Sequence, residues 1–193
     1  MKTDGRAAGD DAGRPAATGA PGGAVPLPFL ANGVAQIAFV VEDLDRTVEN
    51  YHRFFGIGPW HFYTYEKPFV PRMTRLGEPA DYAMRIALSY FGDTRVELIE
   101  QRRGDTVYQE FVERHGYGIQ HLGVLVDDMA QAIAQAEEAG FPMVQDGAGF
   151  GPDGDGHYAY LYTEEAIGTT IELIERPKGR KTPEKVYPAE EVS

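Results

Sequence analysis

From Thr94 to Glu100 the chain reads Thr-Arg-Val-Glu-Leu-Ile-Glu, and at 169–175 it repeats the pattern as Thr-Thr-Ile-Glu-Leu-Ile-Glu. Both copies carry the two-residue alternation of a strand, which sends Glu97 and Glu172 to the face opposite Val96, Leu98, Ile171 and Leu173. A carboxylate inside an otherwise apolar strand is costly to bury unless it is paired or bound to a metal. Two of them, one per copy, are the first candidates for a site.

The flanking pattern predicts the remaining elements. Val34 to Val41 reads as a strand, and Asp43 caps a helix from Leu44 to Phe55 that ends at Gly56. Trp60 to Tyr65 is a second strand, the proline-punctuated stretch from Lys67 to Asp81 a loop, and Ala83–Tyr90 with Thr94–Gln101 a hairpin across Gly92-Asp93. Thr106 to His115 reads as a linking helix with Val107, Phe111 and Val112 on one apolar face. The order then recurs: a strand at 119–126, a helix capped by Asp128 and ended by Gly140, a strand from Pro142, a glycine-rich loop at 147–156, and strands at 157–163 and 169–175. The chain is an internal duplication, with a first βαβββ module at 31–104 and the linking helix with a second module at 105–177.

Superposing the halves aligns Gln36-Ile-Ala-Phe-Val-Val-Glu-Asp-Leu with His121-Leu-Gly-Val-Leu-Val-Asp-Asp-Met. If each half curls into half a barrel, Gln36, Glu97, His121 and Glu172 meet on the concave face. One imidazole, one amide oxygen and two carboxylates suit one divalent ion, zinc, nickel, cobalt, manganese or iron. Glu100 and Glu175 repeat too but fall on the other face, where a solvated surface is expected.

Composition narrows the partners. A formal charge of -12 leaves no basic stripe for nucleic acid and disfavours an anionic membrane. With no cysteine, thiolate sites and disulfides are excluded. Residues 1–30 have the Ala, Gly, Pro and Asp composition of a disordered tail, and 178–193 read as a polar C-terminal tail in which Val186 and Tyr187 can dock locally. No signal peptide or membrane span is evident, so a cytoplasmic location is expected.

With these motifs the chain resembles the vicinal oxygen chelate superfamily of glyoxalases, bleomycin resistance proteins and dioxygenases. The elements that carry the likeness are the 36–44 strand, Phe55-Gly-Ile-Gly-Pro-Trp60, Val96-Glu-Leu-Ile-Glu100, His115-Gly-Tyr-Gly-Ile-Gln-His-Leu122 and Thr170-Ile-Glu-Leu173. The nearest branches are methylmalonyl-CoA epimerase, by the linking helix followed by Gly-Ile-Gln-His, and glyoxalase I, by the Gln, Glu, His, Glu ligand types. The resemblance implies an α+β fold, two tandem βαβββ modules forming a curled mixed sheet around a central metal-binding cavity. It also implies a metal-dependent isomerase, epimerase or lyase that grips two neighbouring oxygens of a small-molecule substrate and shifts a proton on carbon through an enediolate or enolate. Glu172, and after it Glu97, resembles the family carboxylate that doubles as ligand and base. Arg85 falls at or near the position of a further carboxylate in the epimerase branch, a departure from that pattern.

Trp60, Tyr65, Arg85, His157 and Tyr160 are the substrate-binding candidates, and the aromatics among them suit a bulky or aromatic substrate. Two other readings are a non-catalytic protein that binds an aromatic or drug-like ligand, and an extradiol-type dioxygenase. The latter normally needs two histidines where this chain offers Gln36 and His121. A homodimer is expected from the superfamily.

Overall fold

The computed structural model describes residues 27–189. The 1–30 tail therefore falls outside the described residues as far as residue 26. From Pro28 to Asn32 a short 3-10 helix buries Phe29.

One eleven-stranded mixed sheet contains every described strand. In chain order they are β1 (Gln36–Val40), β2 (Trp60–Tyr65), β3 (Arg72–Arg75), β4 (Glu78–Pro79), β5 (Ala83–Phe91), β6 (Thr94–Arg103), β7 (Gly118–Leu125), β8 (Met143–Ala148), β9 (His157–Leu161), β10 (Thr170–Glu175) and β11 (Lys185–Tyr187). The helices are α1 (Leu44–Phe55), α2 (Val107–His115), α3 (Met129–Glu138) and α4 (Glu164–Ile167). The sheet runs β11-β2-β5-β6-β1-β7-β10-β9-β8-β3-β4. Its middle is pseudo-symmetric: β1 lies parallel to β6, β7 parallel to β10, and β1 and β7 join the halves antiparallel.

Helix α1 starts where Asp43 accepts a hydrogen bond from Arg46 N and stops at Gly56, whose φ of 67° suits a residue without Cβ. Asp128 caps α3 in the same way through Gln131 N. Glu100 and Glu175 add a second carboxylate to each of these ends: Glu100 Oε2 accepts from Leu44 N at 3.0 Å, and Glu175 Oε2 from Met129 N at 3.1 Å. They lie on the outer face as expected, but they hold helix N-termini against the sheet rather than simply facing solvent. Negative charge is favourable there.

Strand alternation separates three cores. Leu44, Val48, Trp60, Phe62 and Leu98 pack under α1, and Met129, Ala132, Ala136, Leu161 and Leu173 under α3. The opposite face of the sheet gathers Tyr65, Met84, Ile86, Tyr158 and Tyr160 with Val107 and Tyr108 of α2. Helix α2 thus covers the interior instead of forming a mere link.

One stretch departs from the sequence expectation. The 67–81 loop contains β3 and β4. Met73 and Arg75 alternate inward, β3 pairs with β8 of the second half, and Pro79 is tolerated because β4 is the outermost strand. The first half thereby reaches across to the far edge of the second, and the curl is bridged within one chain. In the polar segment after 178, by contrast, Val186 and Tyr187 dock as the sequence allowed: β11 pairs with β2, Val186 opposite His61.

Candidate metal centre

Glu97 on β6, His121 on β7 and Glu172 on β10 are buried, and one ligand atom from each lies within 4.8 Å of the others. His121 Nε2 is 3.1 Å from Glu172 Oε2 and 3.5 Å from Glu97 Oε2. Local register explains the convergence. A β-bulge slips β1 against β7 between Ala38 and Phe39, leaving Gln120 as the extra residue beside His121. Gln120 Oε1 then lies 2.7 Å from His121 Nδ1, which fixes a tautomer with Nδ1–H donating and Nε2 directed at the carboxylates. Gly123 lies between Gln36 and Glu172 in register, and its missing side chain lets them approach. A Cβ there would stand 2.9 Å from Gln36 Cβ and 3.1 Å from Glu172 Oε2.

Gln36 joins the group by its nitrogen. Nε2 donates to Glu97 Oε2 at 2.8 Å and to Glu172 Oε2 at 2.9 Å, and stands 3.2 Å from His121 Nε2. Its Oε1 is engaged by Arg95 Nε at 2.5 Å. To act as the expected oxygen ligand the amide must turn over and release Arg95. The three other residues fit a divalent ion directly: two anionic oxygens and one imidazole nitrogen, buried and facing one point.

Burial opposes a charge on His121, but the carboxylates of Glu172 and Glu97 outweigh it and push its pKa up to about 9. A proton thus occupies, in the metal-free group, the nitrogen an ion would take. Burial, with the like charges of Arg180 and Arg176, lowers the pKa of Arg95 against the pull of the two glutamates. Burial also raises the pKa of Tyr160, which keeps its hydroxyl protonated; that hydroxyl shares a 2.6 Å hydrogen bond with Tyr108 while the ring meets the His121 ring edge-on at 5.0 Å.

A narrow pocket opens onto this group. Its walls include Tyr65, Leu88, Phe150 and Tyr158, and Arg95, Arg176 and Arg180 stand among them. Of the substrate-binding candidates, the structure brings Tyr65 to this pocket and Tyr160 against His121, and sends three others elsewhere. Trp60 packs under α1, with Nε1 donating to Ile57 O at 2.8 Å. Arg85 shares that face and pairs with Asp45 at 2.9 Å. His157 lies 2.7 Å from Asp146 Oδ2, on a cluster with Arg72 and Thr74 that ties β3, β8 and β9 together. Strand parity is the reason: in each case the neighbouring position, not the named one, faces inward. Three aromatics wall the pocket: Tyr65, Phe150 and Tyr158 pack on one another with centroids 5.4–6.0 Å apart. The glycine-rich loop is tied down: β8 extends into it to Ala148, and Gly149 N and Gly151 N donate to Gly156 O and Asp155 O across it at 2.8 Å.

Sequence reasoning missed Gly123, Arg95 and the arginines after β10. Gly123 left a signal, since a glycine inside a strand often marks close approach. Arg95 left one too, two residues before Glu97 and so on its face.

The model of the glyoxalase/bleomycin resistance protein/dioxygenase superfamily matches residues 35–160, and the chain belongs to that superfamily. Solved structures share the fold. Methylmalonyl-CoA epimerase from Mycobacterium tuberculosis is 22% identical, with a TM-score of 0.55 over 75% of this chain and 87% of that one. A Streptomyces coelicolor methylmalonyl-CoA epimerase variant in complex with 2-nitronate-propionyl-CoA is 18% identical, with a TM-score of 0.56 over 77% and 96%. A hypothetical protein from Bacillus halodurans gives 18% and 0.56 over 77% and 97%. No curated relative matches in sequence. No helix among the described residues is long and apolar enough to cross a membrane.

Proposed function

We propose that this protein is a metal-dependent isomerase, epimerase or lyase that binds a substrate through two neighbouring oxygens and shifts a proton on carbon. The single observation that carries the reading is the buried convergence of Glu97, His121 and Glu172, with both carboxylates lining a pocket. These three would hold the ion, with Gln36 as a fourth ligand once its amide turns over. When bound, a divalent ion supplies Lewis acidity to the substrate oxygens and acidifies the adjacent C–H. Glu172 is the base in this reading. Its carboxylate lines the pocket, within reach of a substrate seated there. Glu97, on the matching strand, is the second carboxylate able to receive the proton. Tyr65, Phe150 and Tyr158 exclude water from the reacting carbon. All three ligand candidates come from one chain, so a homodimer is not needed to complete the group.

The test is solvent deuterium incorporation into 2-oxo, thioester and hemithioacetal compounds by metal-loaded protein, followed by NMR or mass spectrometry. Exchange that disappears in Glu172→Gln while metal content persists supports the assignment; full exchange in that variant overturns it.

One observation favours a second reading. The Gln36 amide and the positive charges of Arg95 and protonated His121 already offset the two glutamates without an ion. A non-catalytic small-molecule binding protein would need no more, and ligand binding that persists after chelation would select it. Dioxygenase chemistry is disfavoured, since His121 is the one histidine of this group.

A further inference from the structure

We propose that the pocket above Glu97 and Glu172 selects a substrate bearing an additional anionic group, a carboxylate or phosphate, gripped by the guanidinium groups of Arg95, Arg176 and Arg180. This deepens the isomerase reading and rests on it for the location of the reacting carbon.

The arginines are delivered by a segment with no other evident purpose. Residues 176–184 leave the end of β10, cross the pocket mouth and enter β11 beside β2, so they span the two halves of the sheet. Both sides of the strap are pinned. Lys178 N donates to Asp155 Oδ2 at 2.8 Å, and Pro177 packs where a Cβ on Gly151 or Gly156 would collide with it at 2.6 and 3.1 Å. Lys181 Nζ donates to Phe69 O at 3.1 Å, and the Glu184 carboxylate accepts from Thr64 N and Oγ1 at 2.8 and 2.9 Å. Arg176 and Arg180 are thereby held at the mouth, with Arg95 buried behind them.

Their convergence on one pocket without an ion-pair partner points to an anion. In a chain with 30 acidic against 18 basic residues, Arg72, Arg75, Arg85, Arg102, Arg103 and Arg114 each pair with a carboxylate. Arg176 and Arg180 have no hydrogen bond or ion pair among the described residues, and Arg95 has only the bond to Gln36. Glu97 and Glu172 attract Arg95 through space but form no hydrogen bond or ion pair with any of the three, because their bonds go to Gln36 and His121. Arg176 and Arg180 are exposed at the rim and bring like charge toward buried Arg95, charge that an anion seated among the three would offset, and the guanidinium fork matches a carboxylate or phosphate in two bonds.

Calorimetric titration of the full chain as purified tests this with malonate, inorganic phosphate and the uncharged malonamide. Arg176→Gln, Arg180→Gln and the double variant are compared with Arg53→Gln on α1. The expected result is binding of malonate or phosphate but not malonamide, about tenfold weaker in each single pocket variant, near abolition in the double variant, and no change in Arg53→Gln. The stronger of the two anions identifies the head group. Absence of anion binding, equal binding in the double variant, or an equal loss in Arg53→Gln overturns the proposal. A protein that binds these anions through its arginines yet takes up no metal would sink the isomerase reading and leave this one. Metal uptake and proton exchange without arginine dependence would do the reverse.

Discussion

Gly123→Ala is the sharpest perturbation of the site that leaves every polar group in place. The φ of Gly123 is not positive, so alanine introduces no backbone strain and tests close approach alone. The added methyl would meet Ile174 Cδ1 at 2.7 Å, Gln36 Cβ at 2.9 Å and Glu172 Oε2 at 3.1 Å. The first contact is the end of a flexible side chain and can yield. The second is bonded directly to the β1 backbone, hydrogen-bonded to β7, and cannot move without opening the joint between the halves. Overpacking of this kind costs about 1–3 kcal/mol, and the lower chain entropy of alanine returns about 0.4–1 kcal/mol, leaving a net loss of about 1–2 kcal/mol. Pushing Gln36 and Glu172 apart should weaken metal binding by about tenfold or more. Urea denaturation gives the first quantity and metal titration the second. In an Ile174→Val background the Cδ1 clash is gone, so part of the stability should return while the metal affinity stays low. A Gly123→Ala protein with wild-type stability and metal affinity would refute the account of how the halves meet at the site.

Three other outcomes follow from the geometry. Glu175→Ala should destabilise by about 1 kcal/mol through the lost bond to Met129 N, and Glu100→Ala by somewhat more because Glu100 also pairs with Arg102; denaturant midpoints measure both, and neither should alter metal content. Tyr108→Phe leaves the buried Tyr160 hydroxyl without its partner and should cost about 1–3 kcal/mol, with part of it recovered in the Tyr108→Phe/Tyr160→Phe double variant. Burial alone would raise the pKa of Asp146, but bonds from His157, Thr74 and Arg72 prevail and hold it below the usual carboxylate value. Its stabilising contribution is therefore present above the unfolded value of 3.8 and is lost as pH falls through the lower folded value, and Asp146→Asn should flatten that part of an acid-unfolding curve.

Much of this was legible because short-range chemistry and the duplication agreed. The Asp43 and Asp128 caps, the glycine after α1 and the alternation around Glu97 and Glu172 each specify local geometry, and the repeat supplied the long-range pairing. What could not be read depended on non-local partners. The prolines of 67–81 disguised β3, whose hydrogen bonds come from β8 more than sixty residues away. Trp60 from its strand, Arg85 from its family position and His157 from its place after the glycine loop all point to the cavity, but only the actual register shows which parity faces it. The orientation of the Gln36 amide is equally non-local, because Arg95 Nε holds its oxygen and leaves its nitrogen toward the carboxylates. Docking of Val186 and Tyr187 was legible, but the polar strap before them was not, because its hold rests on Lys181, Glu184 and Pro177 meeting loops from both halves.

The central claim is that Glu97, His121 and Glu172 hold a metal ion, and elemental analysis of protein purified without chelator tests it most directly. The account predicts about one divalent ion per chain, lost in the His121→Ala and Glu172→Ala variants with the fold retained. A well-folded protein that carries no ion and ignores added zinc, nickel, cobalt, manganese and iron would contradict it.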